Sequence, residues 1–141
     1  MKKLNILLVV LITLLSCSSN NESPLINYEG KWVLTQMRES IPNSETTGSE
    51  MEWQEFYILN ADGTFKKSRE RNGIITELFG TYTLLSSSNE NLLELTYNSE
   101  SDIIGSCYSN LNEGMYFQSE NILFSNWEQC DGPGLKYKKV N

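Results

Sequence analysis

Along most of this chain apolar residues recur at every second position. They fall in short runs rich in Val, Ile, Thr, Tyr, Phe and Trp, separated by clusters of Gly, Asn, Asp and Ser. Alternation of that period marks strands with one buried face, and no stretch sustains the 3.6-residue spacing of an amphipathic helix. The pattern predicts strands over Lys31 to Arg38, Glu52 to Asn60, Thr64 to Arg71, Ile74 to Leu85, Asn91 to Asn98, Met115 to Ser119, Asn121 to Trp127 and Leu135 to Val140. A further short strand is expected around Ile103 to Ser109. The inward face comprises Trp32 and Leu34; Tyr57 and Leu59; Phe65; Leu78, Tyr82 and Leu84; Leu93, Leu95 and Tyr97; Leu123; and Leu135 and Tyr137. Around Phe56 to Leu59 both faces are apolar, which leaves the register open there.

The turns carry their own chemistry. Asn60-Ala61-Asp62-Gly63 supplies Asx residues and a glycine for a tight loop, and Asn72-Gly73 is a two-residue hairpin signal, so consecutive strands should pair antiparallel. Gly80, inside a long strand, reads as a bulge or sharp bend. The polar, aperiodic stretch Glu39 to Glu50 reads as a long loop. About eight antiparallel strands with one apolar face must stack as a sandwich or close into a barrel, and the hairpin order favours the barrel.

The first residues are built differently. Lys2 and Lys3 precede an apolar run from Leu4 to Leu15, and Leu14-Leu15-Ser16-Cys17 follows as a short site of permissive residues, the three zones of a secretory signal. A run of that length falls short of the roughly 20 apolar residues that cross a bilayer core. Leu-Leu-Ser-Cys resembles the lipobox of bacterial lipoproteins, and the resemblance implies that residues 1–16 are a signal peptide and that Cys17 becomes the lipidated first residue. Residues 17–27, polar and proline-containing, read as lipidated N-terminus and flexible tether, and 28–141 as one domain. Ser18, where an aspartate would resemble an inner-membrane retention signal, points to the outer membrane of the cell envelope. Of three cysteines two then remain, Cys107 and Cys130, a natural disulfide in an oxidising compartment, with two buried thiols as the alternative.

Gly30-Lys31-Trp32 at the start of the first strand is similar to the Gly-x-Trp signature of lipocalins. With Asn60-Ala61-Asp62-Gly63-Thr64-Phe65, Gly80-Thr81-Tyr82-Thr83-Leu84 and Asn126-Trp127-Glu128-Gln129-Cys130-Asp131-Gly132-Pro133, the chain resembles small bacterial lipocalin-like lipoproteins from about Gly30 to Val140. The resemblance implies an all-β, antiparallel, lipocalin-like β-barrel of about eight strands, with Trp32 packed across its base. Its interior would be just wide enough for packed side chains or one small ligand.

Charge and chemistry narrow the function. Eleven Lys and Arg against eighteen Asp and Glu give a formal net charge of −7, and removal of Lys2 and Lys3 with the leader leaves nine against eighteen, or −9. Nucleic acid is excluded as a partner, since phosphate binding relies on cations. The chain has no histidine and no Gly-x-Ser-x-Gly, and its cysteines are already assigned, so nucleophilic hydrolysis has no machinery and the chain reads as non-enzymatic. Glu50, Glu52 and Glu55 would serve a glycosidase only at a defined spatial separation. Asp62 and Gly63 lack the alternating oxygens of a calcium loop, and no cofactor or metal motif is present. Lys136, Lys138 and Lys139 form a basic patch that reads as a solvated strand face. Tyr57, Tyr82, Tyr97 and Tyr137, with Trp32, either line a ligand pocket or fill a core. The expectation is a lipid-anchored, membrane-tethered module binding a small apolar or amphipathic ligand. A protein-interaction or inhibitor module, for example against a basic host enzyme such as lysozyme, and a structural accessory with a filled barrel are the alternatives.

Overall fold

The computed structural model describes residues 27–86, 91–108 and 110–141. The leader, Cys17 and most of the tether lie outside the described residues. Among the described residues eight strands follow one another: β1 (Gly30–Arg38), β2 (Gln54–Leu59), β3 (Thr64–Arg71), β4 (Ile74–Ser86), β5 (Asn91–Tyr97), β6 (Asn112–Ser119), β7 (Ile122–Ser125) and β8 (Gly134–Val140). Each pairs antiparallel with the next, and β1 pairs with β8 from Lys31↔Val140 to Arg38↔Gly134, so the sheet closes into a barrel.

The hairpins form for the reasons their residues supply. Between β3 and β4, Arg71 faces Ile74 across a two-residue turn in which Asn72 (φ 56°) and Gly73 (φ 77°) are both left-handed. This geometry matches the right-handed twist of the strands it joins. Between β2 and β3, Asp62 Oδ1 accepts from the amide and hydroxyl of Thr64 at 3.0 and 2.6 Å, which lowers its pKa.

Gly80 departs from expectation. The ladder runs without a register break through Phe65↔Gly80↔Tyr97, and the breaks fall instead in β1, between Leu34 and Gln36, and in β6, between Phe117 and Ser119. What requires glycine is proximity: a Cβ there would sit 2.0 Å from the Thr96 carbonyl oxygen and 2.7 Å from the Phe65 ring. The short strand expected around Ile103 to Ser109 departs too, because its described part, Ile103 to Tyr108, forms no strand. Ile103 turns its side chain into the core and its carbonyl to a buried lysine, and in the closed barrel each strand already has its two partners.

The inward face is as the alternation predicts, save Leu84, which is 40% exposed, and Tyr82, which is half-buried. Trp32 lies at one end, its Nε1 donating to the Tyr28 carbonyl at 2.9 Å, its ring beside Phe117 and the Lys139 ammonium. Because the strands alternate in direction, the connections after β1, β3, β5 and β7 share the opposite end. Cys107 and Cys130, whose sulfurs lie 2.08 Å apart, clip two of them together.

Candidate functional site

The barrel interior is ionic as well as aromatic. On β3 the parity that buries Phe65 also buries Lys67 and Arg69; on β2 that of Tyr57 buries Glu55; on β6 that of Met115 buries Glu113. Glu55 stands directly opposite Arg69 and Tyr57 opposite Lys67. Lys67 Nζ donates to Glu113 Oε2 at 3.1 Å and to the Ile103 carbonyl at 2.7 Å, and lies 3.5 Å from Glu55 Oε1. Arg69 Nε donates to Glu55 Oε2. Burial works against the Arg69 cation, and Glu55 more than offsets it, so its pKa is raised. Two cations and two carboxylates thus share one solvent-excluded space, and such ions persist only when paired and hydrogen-bonded.

Three of the four tyrosines expected at a ligand site complete this network. Tyr57 Oη donates to Glu113 Oε1 at 3.0 Å, Tyr97 Oη to Glu113 Oε2, and Tyr137 Oη to Glu55 Oε1 at 2.6 Å. Burial pushes all three phenols well above their ordinary value of 10.0, with Glu113 next in effect on Tyr57 and Tyr97 and Glu55 on Tyr137. Tyr82 stands apart, its hydroxyl donating to the Asn60 carbonyl at 2.7 Å. Trp32, Tyr57, Lys67, Leu95, Leu123, Leu135 and Tyr137 are 0% exposed, so no water-sized void touches them. A ligand against Tyr57 or Tyr137 would have to displace packed side chains.

The space open to a ligand is elsewhere. At the end holding the disulfide, a cleft of about 750 Å³ opens between the β1–β2 connection and the β7–β8 turn. Met37, Ile41, Trp53, Trp127 and Pro133 give it apolar walls, and Glu39, Glu50, Glu52 and Asp131 line it with acid. Trp53 is 5% exposed and carries the Arg69 guanidinium 4.1 Å from its ring centroid. Each member of this stacked pair carries a buried donor, Trp53 Nε1 and Arg69 Nη2, that meets no acceptor among the described residues. The opposite wall is braced: Trp127 packs against Gly105 and Gly132, one from each of the connections joined at Cys107 and Cys130.

Of the carboxylates weighed from sequence, Glu55 belongs to the buried network, Glu52 pairs with Arg71, and Glu50 stays exposed at the cleft. The structure does not draw them into one reactive pair. The C-terminal lysines divide: Lys136 lies over Phe124, Lys139 over Trp32, and Lys138 is exposed. No family model matches the chain, and no curated protein or solved structure matches it.

Proposed function

We propose that this chain is a secreted, non-enzymatic binding module of the bacterial cell envelope, lipocalin-like and lipidated at Cys17. It holds one small amphipathic molecule in the cleft at the disulfide end of the barrel. One contrast carries this reading: the interior is occupied by its own side chains, while a cleft of about 750 Å³ with two tryptophans stands open beside it. That volume lies in the ordinary range for small-molecule sites, which are concave, largely apolar and equipped with a few polar groups.

The leader and Leu14-Leu15-Ser16-Cys17 support the address. Several acyl chains on one residue hold far more firmly than one, each buried methylene contributing about 0.8 kcal/mol. Labelled palmitate should enter the wild-type chain and not a Cys17→Ser variant; equal labelling would sink the anchor. For the site, native mass spectrometry of the domain from Ser18 onward, released gently from its expression host, should find an added small-molecule mass. Loss of that mass in Thr46→Trp, which fills the cleft, is the expected result, and retention would refute the location.

A second reading, docking of a protein partner, is favoured by a row on the outer wall. Leu85, Leu92, Tyr116 and Phe124 are register neighbours across β4 to β7, and Leu85 and Tyr116 are exposed.

A further inference from the structure

We infer that the cleft selects a ligand whose polar head is an uncharged hydrogen-bond acceptor of the amide or ketone carbonyl type, and that it discriminates against the matching carboxylate. The inference rests on the cleft being the binding site, as proposed above, and adds the chemistry of the head group.

Two observations lead there independently. The first is the pair of donors. Trp53 and Arg69 are each 5% exposed, they stack at 4.1 Å, and Trp53 Nε1 and Arg69 Nη2 find no acceptor among the described residues. Buried N–H groups without partners cost free energy, and an incoming oxygen recovers it. Trp53 also lines the cleft, so one orphaned donor is carried by a residue of the site.

The second is the charge balance. In the barrel interior, where Arg69 stacks on Trp53 of the cleft, Lys67 and Arg69 already face Glu55 and Glu113, one carboxylate for each cation. Around it stand Glu39, Glu50, Glu52 and Asp131, while the cations at hand are taken: Arg38 by Glu128 and Arg71 by Glu52. An anionic head would enter a field of carboxylates and find no unpaired cation at the bottom among the described residues. A carbonyl oxygen meets the same donors with no charge to desolvate. An apolar body can then lie along Met37, Ile41 and Pro133.

Neither donor is open to solvent, so the head must be admitted by movement. The wall available to move is the segment 39–50, tied to β1 by the backbone pair Met37 and Thr46 (3.0 and 2.9 Å). None of its residues is fully buried.

The test uses the domain from Ser18 onward at pH 7 with two probes of equal acyl chain, N-methyloctanamide and octanoate. Calorimetry should give an affinity about tenfold higher for the amide, the scale of one well-made hydrogen bond with no charge repulsion. The Trp53 indole N–H resonance should shift on adding amide and stay in place with octanoate. Trp53→Phe, which keeps a ring and removes the donor, should erase the preference. Should it fail to fold, the indole resonance of the wild type decides alone. Equal binding of both probes, blocked in both cases by Thr46→Trp, would overturn the head-group inference and leave the site standing. Binding of neither probe, or binding that Thr46→Trp does not touch, would overturn both.

Discussion

High pH should unfold this domain through its three buried tyrosines. Tyr57, Tyr97 and Tyr137 are 0%, 2% and 0% exposed, and each phenol donates to a carboxylate that its ionisation would oppose. Their folded pKa values are raised well above 10.0, whereas in the unfolded chain they titrate near that figure. The protonated phenols are therefore held by the folded state, and their contribution is complete below pH 10. As pH climbs past 10 the unfolded chain sheds protons that the folded chain keeps, and stability falls toward the folded pKa. Each phenol contributes a slope of about 1.4 kcal/mol per pH unit, and three together about 4. A domain stable by about 5–15 kcal/mol cannot survive many units of that slope. Urea midpoints measured by circular dichroism at half-unit steps from pH 9 to 12 should be level at first and then drop steeply. Tyrosinate absorbance should rise together with loss of the far-ultraviolet signal, by an amount equal to three phenols. Tyr137→Phe should flatten the slope by about a third. Three buried phenols ionising near pH 10 while the sheet remains intact would refute the reasoning.

Other perturbations separate the parts of the fold. Lys67→Met leaves Glu55 and Glu113 with less compensation and should cost about 3–5 kcal/mol by urea denaturation, with at least half recovered when Glu113→Gln is added. A loss below about 1 kcal/mol would show the ion network to be dispensable. Gly80→Ala drives a methyl into the Thr96 carbonyl and the Phe65 ring and should destabilise by about 1–3 kcal/mol; a neutral outcome would mean the strands part freely there. Replacing Cys107 and Cys130 by serine opens a loop of sequence separation 23 and should cost about 3 kcal/mol in chain entropy. It should also loosen Trp127 in the cleft wall, seen as a change in tryptophan emission.

The strands and the hairpins can be read from alternation because each depends on neighbours in sequence: Asn72-Gly73 makes its turn whatever lies across the barrel. The buried ions escape a reading by polarity although their signal is present. Phe65, Lys67 and Arg69 sit two residues apart on one strand face, so a strand that buries Phe65 must bury the cations as well. By polarity alone, Lys66 to Glu70 looks like solvated wall; by parity, the same run places two charges in the core and requires carboxylates elsewhere of the same parity. Glu55 beside Tyr57 and Glu113 beside Met115 meet that need. The roles of Tyr57, Tyr97 and Tyr137 lie further off. Tyr57 and Tyr137 reach carboxylates on strands they do not pair with, across the closed interior, and Tyr97 shares one of those carboxylates from the neighbouring strand. The cleft is out of reach for the same reason, since it joins the β1–β2 connection to the β7–β8 turn, segments far apart in the chain. Gly80 shows a narrower limit: a glycine in a strand signals close approach as readily as a bend, and the Thr96 carbonyl that decides between them lies on another strand.

The pairing of β1 with β8 has a bearing on how the protein can be made. Gly30 to Arg38 leaves the ribosome long before Gly134 to Val140, yet one side of its backbone waits for that later segment. A length of chain that stops short of β8 leaves its own sheet unsatisfied, so deleting β8 should unravel the first strand rather than merely trim the barrel. Contacts between such distant segments are slow to form, and they oblige the nascent polypeptide to stay incompletely folded until the closing strand has emerged.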